Sequence, residues 1–208
     1  MPYVPYSPIP NKKTNDEQDL ESESLRSLKS ETYNKLETNH NYLAFFGTLI
    51  CAIYFLYCAL NATSNSEDWH FIDNVNLIFH EAGHPIFSFF GDFMHIAGGT
   101  LGQLLIPAIC GFSFLRSKQY YSATVMLMWL GQNLTSISIY ASDAIKMELP
   151  LLGGDTSGHD WHNMLEMTGL LSYTDAISKS IHGIGVIIVL SAIGAMLYIF
   201  LLKKQNSI

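Results

Sequence analysis

The chain has 208 residues, 49% of them hydrophobic and only 14% charged, where a soluble globular protein carries roughly a quarter charged side chains. Its formal net charge of −7 offers no basic face and excludes nucleic acid as the expected partner. Residues 1–41 alone hold seven acidic and five basic side chains, so the remaining 167 residues are left with eleven acidic and six basic ones, the composition of an all-α integral membrane protein.

In chain order, residues 1–41 read as a polar tail, disordered or peripheral to a membrane, with Pro2, Pro5, Pro8 and Pro10 at its start. Residues 42–202 read as one membrane-embedded domain, and 203–208 as a short basic tail. "YLAFFGTLICAIYFLYCALNA", from Tyr42 to Ala62, has no charge over 21 residues, the length a bilayer-crossing helix requires. Further spans are predicted at 98–115, closed by Arg116 and Lys118, at Tyr121–Tyr140, and at Ile181–Leu202, which ends at Lys203 and Lys204. Cys51, Cys58 and Cys110 lie in apolar runs without a CxxC or histidine companion, and read as small hydrophobes rather than a disulfide framework.

The stretch "NLIFHEAGHPIFSFFGD", Asn76 to Asp92, has an apolar segment of only fourteen residues, Leu77 to Phe90, which is short for a crossing. If it dips into the bilayer and returns, nine of the eleven basic residues share one side, that of both chain ends. If it crosses, the split weakens to seven against four. The bias of basic residues toward the cytoplasm therefore favours four spans plus one short membrane-inserted helix, with five spans as the alternative. It also places both termini on the cytoplasmic side, and a bacterial cytoplasmic membrane is the expected location.

Within that short segment stands an HExxH pattern: His80, Glu81 and His84. On a helix, residues four apart share a face, so both imidazoles can converge on one ion, and zinc is the expected cofactor. Glu81 is placed to hold a water at the ion and take its proton. An unpaired carboxylate in apolar surroundings costs several kcal/mol or more, and a cation would offset that. Chance gives the pattern in roughly one in a hundred chains of this composition. Pro85 removes the hydrogen bond to the Glu81 carbonyl, so the helix is predicted to kink or end there.

Catalytic zinc normally takes three protein ligands. "HDWH", His159 to His162, packs three donors into four residues, and His159 is the first choice, with Asp160 as the alternate. Asp155 and His162 are candidates to support the ligands or line a cavity, as are Asp143 and Asn133. Asp143 is the expected partner for an imidazole, and Tyr140 a possible donor to a developing oxyanion. His70, His95 and His182 have no companion at ligand spacing and read as interfacial or packed.

"HEAGH" in a hydrophobic segment of a small multi-span protein resembles the site-2 protease-like intramembrane zinc metalloproteases. The resemblance implies zinc on His80 and His84 and water activation by Glu81. That family's third ligand is an aspartate in a pattern close to N-x-x-P-x-x-D-G. The nearest stretch here, "ELPLLGGDTSGHDW", has Pro150 before Asp155 but not that order. "GGTLGQLLIP", "GQNL", "LPLLGG" and "HDW" also look like a group of uncharacterised bacterial membrane proteins, which implies no activity.

The function expected from these residues is a membrane-embedded zinc hydrolase, foremost a metallopeptidase, acting on a membrane-associated peptide. Hydrolysis of a lipid amide or ester, and non-catalytic metal binding or transport, are the alternatives. The bilayer itself is the expected surrounding partner.

Overall fold

The computed structural model describes residues 15–61, 70–149, 151 and 158–205, and among them every regular element is helical. There are six α-helices: α1 (Asn15–Leu60), α2 (Phe71–Phe87), α3 (Asp92–Arg116), α4 (Tyr120–Ser142), α5 (Asp160–Met167) and α6 (Thr174–Gln205). Among the described residues, three segments are long and apolar enough to cross a membrane: Leu20–Leu60, Asp92–Arg116 and Leu171–Gln205. The expected boundary at residue 41 is not a break in the helix. Residues with good helix propensity, Glu, Leu, Arg and Lys among them, carry α1 back to Asn15. At 1.5 Å per residue, its 46 residues reach about 69 Å, more than twice a bilayer's hydrocarbon thickness.

The bundle buries many polar side chains and turns many apolar ones outward. Asp73, Asn76, Gln132, Asn133 and Thr135 are buried, whereas Ile50, Ile53, Ile109, Phe112 and Ile187 are exposed. Water would penalise the exposed apolar side chains and hydrocarbon rewards them, while inward polar groups such as Asp73, Asn76 and Gln132 find protein partners. α4 occupies the centre, packed against α1, α3 and α6, and its inward polar residues lower its own hydropathy. Phe45 and Phe55 of α1, Met128 of α4 and Met196 of α6 form an apolar core, with the Phe45 and Phe200 rings stacked 4.0 Å apart. Lys203 Nζ donates to Asn41 Oδ1 at 2.8 Å and lies over the Tyr121 ring. Those contacts bring residue 41 of α1, the start of α4 and the end of α6 to one end of the bundle.

α2 begins part-way down the other half. The Ile72 N–H donates to Tyr54 Oη at 3.2 Å, six residues or about 9 Å short of the end of α1. Its buried residues, Asp73, Asn76, His80 and Gly83, fall at helical spacing on one polar face. Asp73 serves the N-terminus: its Oδ2 accepts from the His70 N–H, and its Oδ1 accepts from Gln132 Nε2 and Ser136 Oγ, each at 3.0 Å. Asn76 joins the same ladder, donating to Gln132 Oε1 and accepting from Trp129 Nε1. A carboxylate at this position also complements the positive end of the helix dipole. Pro85 does not end the helix at once; α2 runs two residues further, and a single 3-10 turn, Ser88–Phe90, leads to α3.

α2 and α3 approach so closely that glycine is required at the crossing. A Cβ on Gly83 would collide with the carbonyl oxygen of Gly98, and one on Gly102 with the carbonyl oxygen of Phe79. Both obstacles are backbone and cannot swing aside. Gly83→Ala is therefore expected to destabilise the bundle by about 1–3 kcal/mol through overpacking. Gly47→Ala, on α1 with open space around it, should be neutral or slightly stabilising. Denaturant unfolding of both variants in the same detergent checks the contrast.

Candidate metal centre

His80 and His84 lie on α2 one turn apart, with their ring centroids separated by 4.9 Å. His80, Glu81 and His84 each present a ligand atom, and those atoms all lie within 4.8 Å of one another. Asp160, the first residue of α5, enters from the opposite side. Its Oδ2 is 2.8 Å from His80 Nε2 and 3.4 Å from His84 Nε2. Burial works against the ionised form of Asp160, but the hydrogen bonds from the two histidines outweigh it and hold the carboxyl below its ordinary range.

This donor set suits a divalent cation of the zinc class. Two imidazole nitrogens and a carboxylate oxygen are its preferred ligands, and a tetrahedral site with bonds of about 2.0–2.1 Å has donors roughly 3.3 Å apart. The space between the imidazoles exists because residue 99 is glycine. A Cβ there would stand 2.5 Å from His80 Nε2 and 2.8 Å from His84 Nε2, which would put carbon where a cation would sit.

The place beside the two imidazoles that was expected of His159 belongs to Asp160. His159 is fully buried, and both its ring nitrogens are committed. Nδ1 accepts the His162 N–H at 3.2 Å, capping the N-terminus of α5, so Nε2 must carry the proton that faces Asp143 Oδ2 at 3.3 Å. No lone pair is left for a cation. Burial lowers the pKa of His159 against the pull of Asp143, in keeping with a neutral ring.

Asp143 meets the imidazole of His159, not one of the two motif histidines, and it does more. Its Oδ1 accepts the Glu148 N–H at 3.0 Å and its Oδ2 the Leu149 N–H at 2.9 Å, so one carboxylate closes the turn after α4 and anchors the start of α5. His162 secures the same junction by donating from Nδ1 to the Ala144 carbonyl at 2.7 Å. Tyr140 packs its ring against His80 and His159, and its hydroxyl oxygen accepts the Asp160 N–H at 3.0 Å. Asn133 is buried away from this group; its amide donates to the Trp129 carbonyl and its Oδ1 has no hydrogen-bond partner among the described residues. Asp155 lies outside the described residues.

The carboxylate expected to be buried, Glu81, is exposed on the outer side of α2, and Asp160 is the buried one. Glu81 precedes the inward-facing Gly83 and follows inward-facing His80, so helical geometry turns it about 100° from His80, beside the exposed Ile78. His95 was missed for a plain reason: its partner is eleven residues away, at no ligand spacing. Its Nδ1 donates to the His84 carbonyl at 3.0 Å, and His84 Nδ1 donates to the His95 carbonyl at 2.9 Å. Gly99 was equally invisible, since a missing side chain gives no signal of its own.

Comparison with family models, with curated proteins and with solved structures returns no match.

If the gap at Gly99 is what admits a cation, filling it should close the site without disturbing the rest of the bundle. Gly99→Ala is expected to lower divalent-metal uptake at least tenfold, measured by equilibrium dialysis of purified protein against zinc. Its helical circular dichroism should stay that of the wild type.

Proposed function

We propose that this chain is a membrane-embedded zinc-dependent hydrolase, foremost a peptidase acting on a bond at or within the bilayer. The observation that carries the reading is the convergence of Asp160, eighty residues away in sequence, on the Nε2 atoms of both motif histidines, with Glu81 beside them. His80, His84 and Asp160 would hold the ion. Bound there, zinc would supply Lewis acidity toward a carbonyl and toward water.

The remaining chemistry belongs to the chain's own side chains. Glu81 takes the proton of the attacking water and returns it to the leaving group. The Tyr140 hydroxyl oxygen is occupied by the Asp160 N–H, which leaves its own proton to donate to an oxyanion. The Asp143–His159 pair keeps Asp160 in register.

The topology in this reading has four crossings, α1, α3, α4 and α6, with α2 entering and leaving on one side. Its support is the gathering of Asn41, Tyr121 and Lys203 at one end of the bundle, together with nine of the eleven basic residues on that side. The site then opens toward the other face. A substrate drawn from the membrane is favoured by the exposed Ile78 and Ile86 around Glu81, and by Phe89 and Phe90, exposed by 91% and 71%, beyond the end of α2. Such a surface meets lipid or an apolar peptide rather than water.

Two substitutions separate catalysis from metal holding. Glu81→Gln should retain zinc at wild-type stoichiometry and lose at least about 10²-fold in turnover, the usual contribution of a general base. Asp160→Ala should lose the zinc. Metal analysis and the release of peptides from membranes with and without the protein provide the readings. Full activity in Glu81→Gln would sink the hydrolase, and unchanged membrane peptides alongside altered lipids would move the substrate to an amide or ester of lipid.

A further inference from the structure

We infer that His95 is a positioning residue for the His84 ligand, acting through a reciprocal pair of side-chain to backbone hydrogen bonds between α2 and α3. The inference rests on the metal reading above and adds a residue to it.

His84 stands at a weak point of its helix. Pro85 follows it and supplies no N–H to the Glu81 carbonyl, and α2 ends at Phe87. The last carbonyls of a helix have no onward intrahelical donors, so the turn that aims His84 is not held by α2 alone. The first turn of α3 provides the hold. The His95 Nδ1–H donates to the His84 carbonyl at 3.0 Å, while the His84 Nδ1–H donates to the His95 carbonyl at 2.9 Å. The two rings lie 5.4 Å apart at 54°. The backbone contact of Gly83 with Gly98 brings the strands of this bracket within reach.

The bracket has a chemical consequence. A nitrogen that faces a carbonyl must carry a hydrogen, so both imidazoles have their proton on Nδ1 when neutral. In His84, Nε2 is therefore the nitrogen left for a cation; it faces Asp160 Oδ2 at 3.4 Å, where it carries a hydrogen as long as no ion takes that place. The second partner of the His84 imidazole is the main-chain carbonyl of residue 95, and the His95 side chain acts on it indirectly, by tying the His84 carbonyl to the same turn of α3. Loosening such a partner weakens metal affinity about 10–100-fold. Packing does not account for the residue: His95 is exposed, between Met94 and Ile96, where an apolar side chain would suit a lipid-facing position better.

The test compares two nearly isosteric variants, His95→Leu and His95→Asn, in the full-length protein. Asparagine carries an N–H on Cγ, as histidine does at Nδ1, and leucine does not. Co²⁺ is the probe, because its visible absorption reports ligand geometry and its affinity is measured by chelator competition. His95→Leu should bind Co²⁺ at least tenfold more weakly than wild type with an altered spectrum, and His95→Asn should recover most of both. A further reading uses wild type alone: nitrogen NMR of the zinc-loaded protein should show His84 and His95 protonated at Nδ1. Equal affinity and spectrum in wild type and His95→Leu, or a His95 protonated at Nε2, would overturn the positioning role. Failure of wild type to take up Co²⁺ or Zn²⁺ would instead overturn the metal reading on which it rests.

Discussion

Two helix backbones meet where α2 crosses α3, because Gly83, Gly98, Gly99 and Gly102 bring no Cβ into the contact. In hydrocarbon no hydrophobic force pulls helices together, and close van der Waals contact through small residues takes its place. The surroundings of the two imidazoles are set by that approach. It opens the gap beside Gly99 that both imidazoles face, and brings the first turn of α3 within hydrogen-bond reach of His84. A wider crossing would keep the sequence motif but lose the bracket around it.

The second constraint is electrostatic. A helix that starts inside a bundle exposes backbone N–H groups where no water can satisfy them. α2 meets this with Asp73, the Tyr54 hydroxyl and the Gln132–Asn76–Trp129 ladder, so its polar face is satisfied residue by residue up to His80. The ladder and the site are therefore one continuous face of α2, and α4 supplies the partners along its whole length, from Trp129 to Tyr140. That explains why α4 carries Gln132, Ser136 and Tyr140 in what is otherwise an apolar helix: they are the complement of the polar face of α2, enclosed by α1, α3 and α6.

Much of this was legible in the chain. Charge-free runs located the apolar lengths of the helices α1, α3, α4 and α6, three of which are long and apolar enough to cross a membrane. His80, Glu81 and His84 announced themselves by spacing, which a single helix preserves. What spacing could not convey was anything decided between helices. His95 and Gly99 act on His84 across the α2–α3 crossing, and no local pattern marks them. The extension of α1 to Asn15 was only weakly marked: a polar helix over Asp16–Leu36 was the lesser alternative to a disordered or peripheral tail, since a polar helix without a buried face leaves only propensity as its signal.

The choice within His159–Asp160 shows the same limit at the scale of one residue. Both side chains can ligate, and adjacent positions at a helix start point in different directions, so composition cannot rank them. The ranking comes from accounting for protons. As the N-cap of α5, His159 spends Nδ1 on the His162 N–H, and its remaining nitrogen must then donate, which suits it to the Asp143 carboxylate and to nothing cationic. Asp160, one position on, has its backbone N–H fixed by Tyr140 and its carboxylate free to turn toward α2. The neighbour that looked like the ligand is the anchor. By holding the start of α5 to the end of α4, it lets a carboxylate from a distant loop be delivered to two imidazoles that α2 alone could not complete.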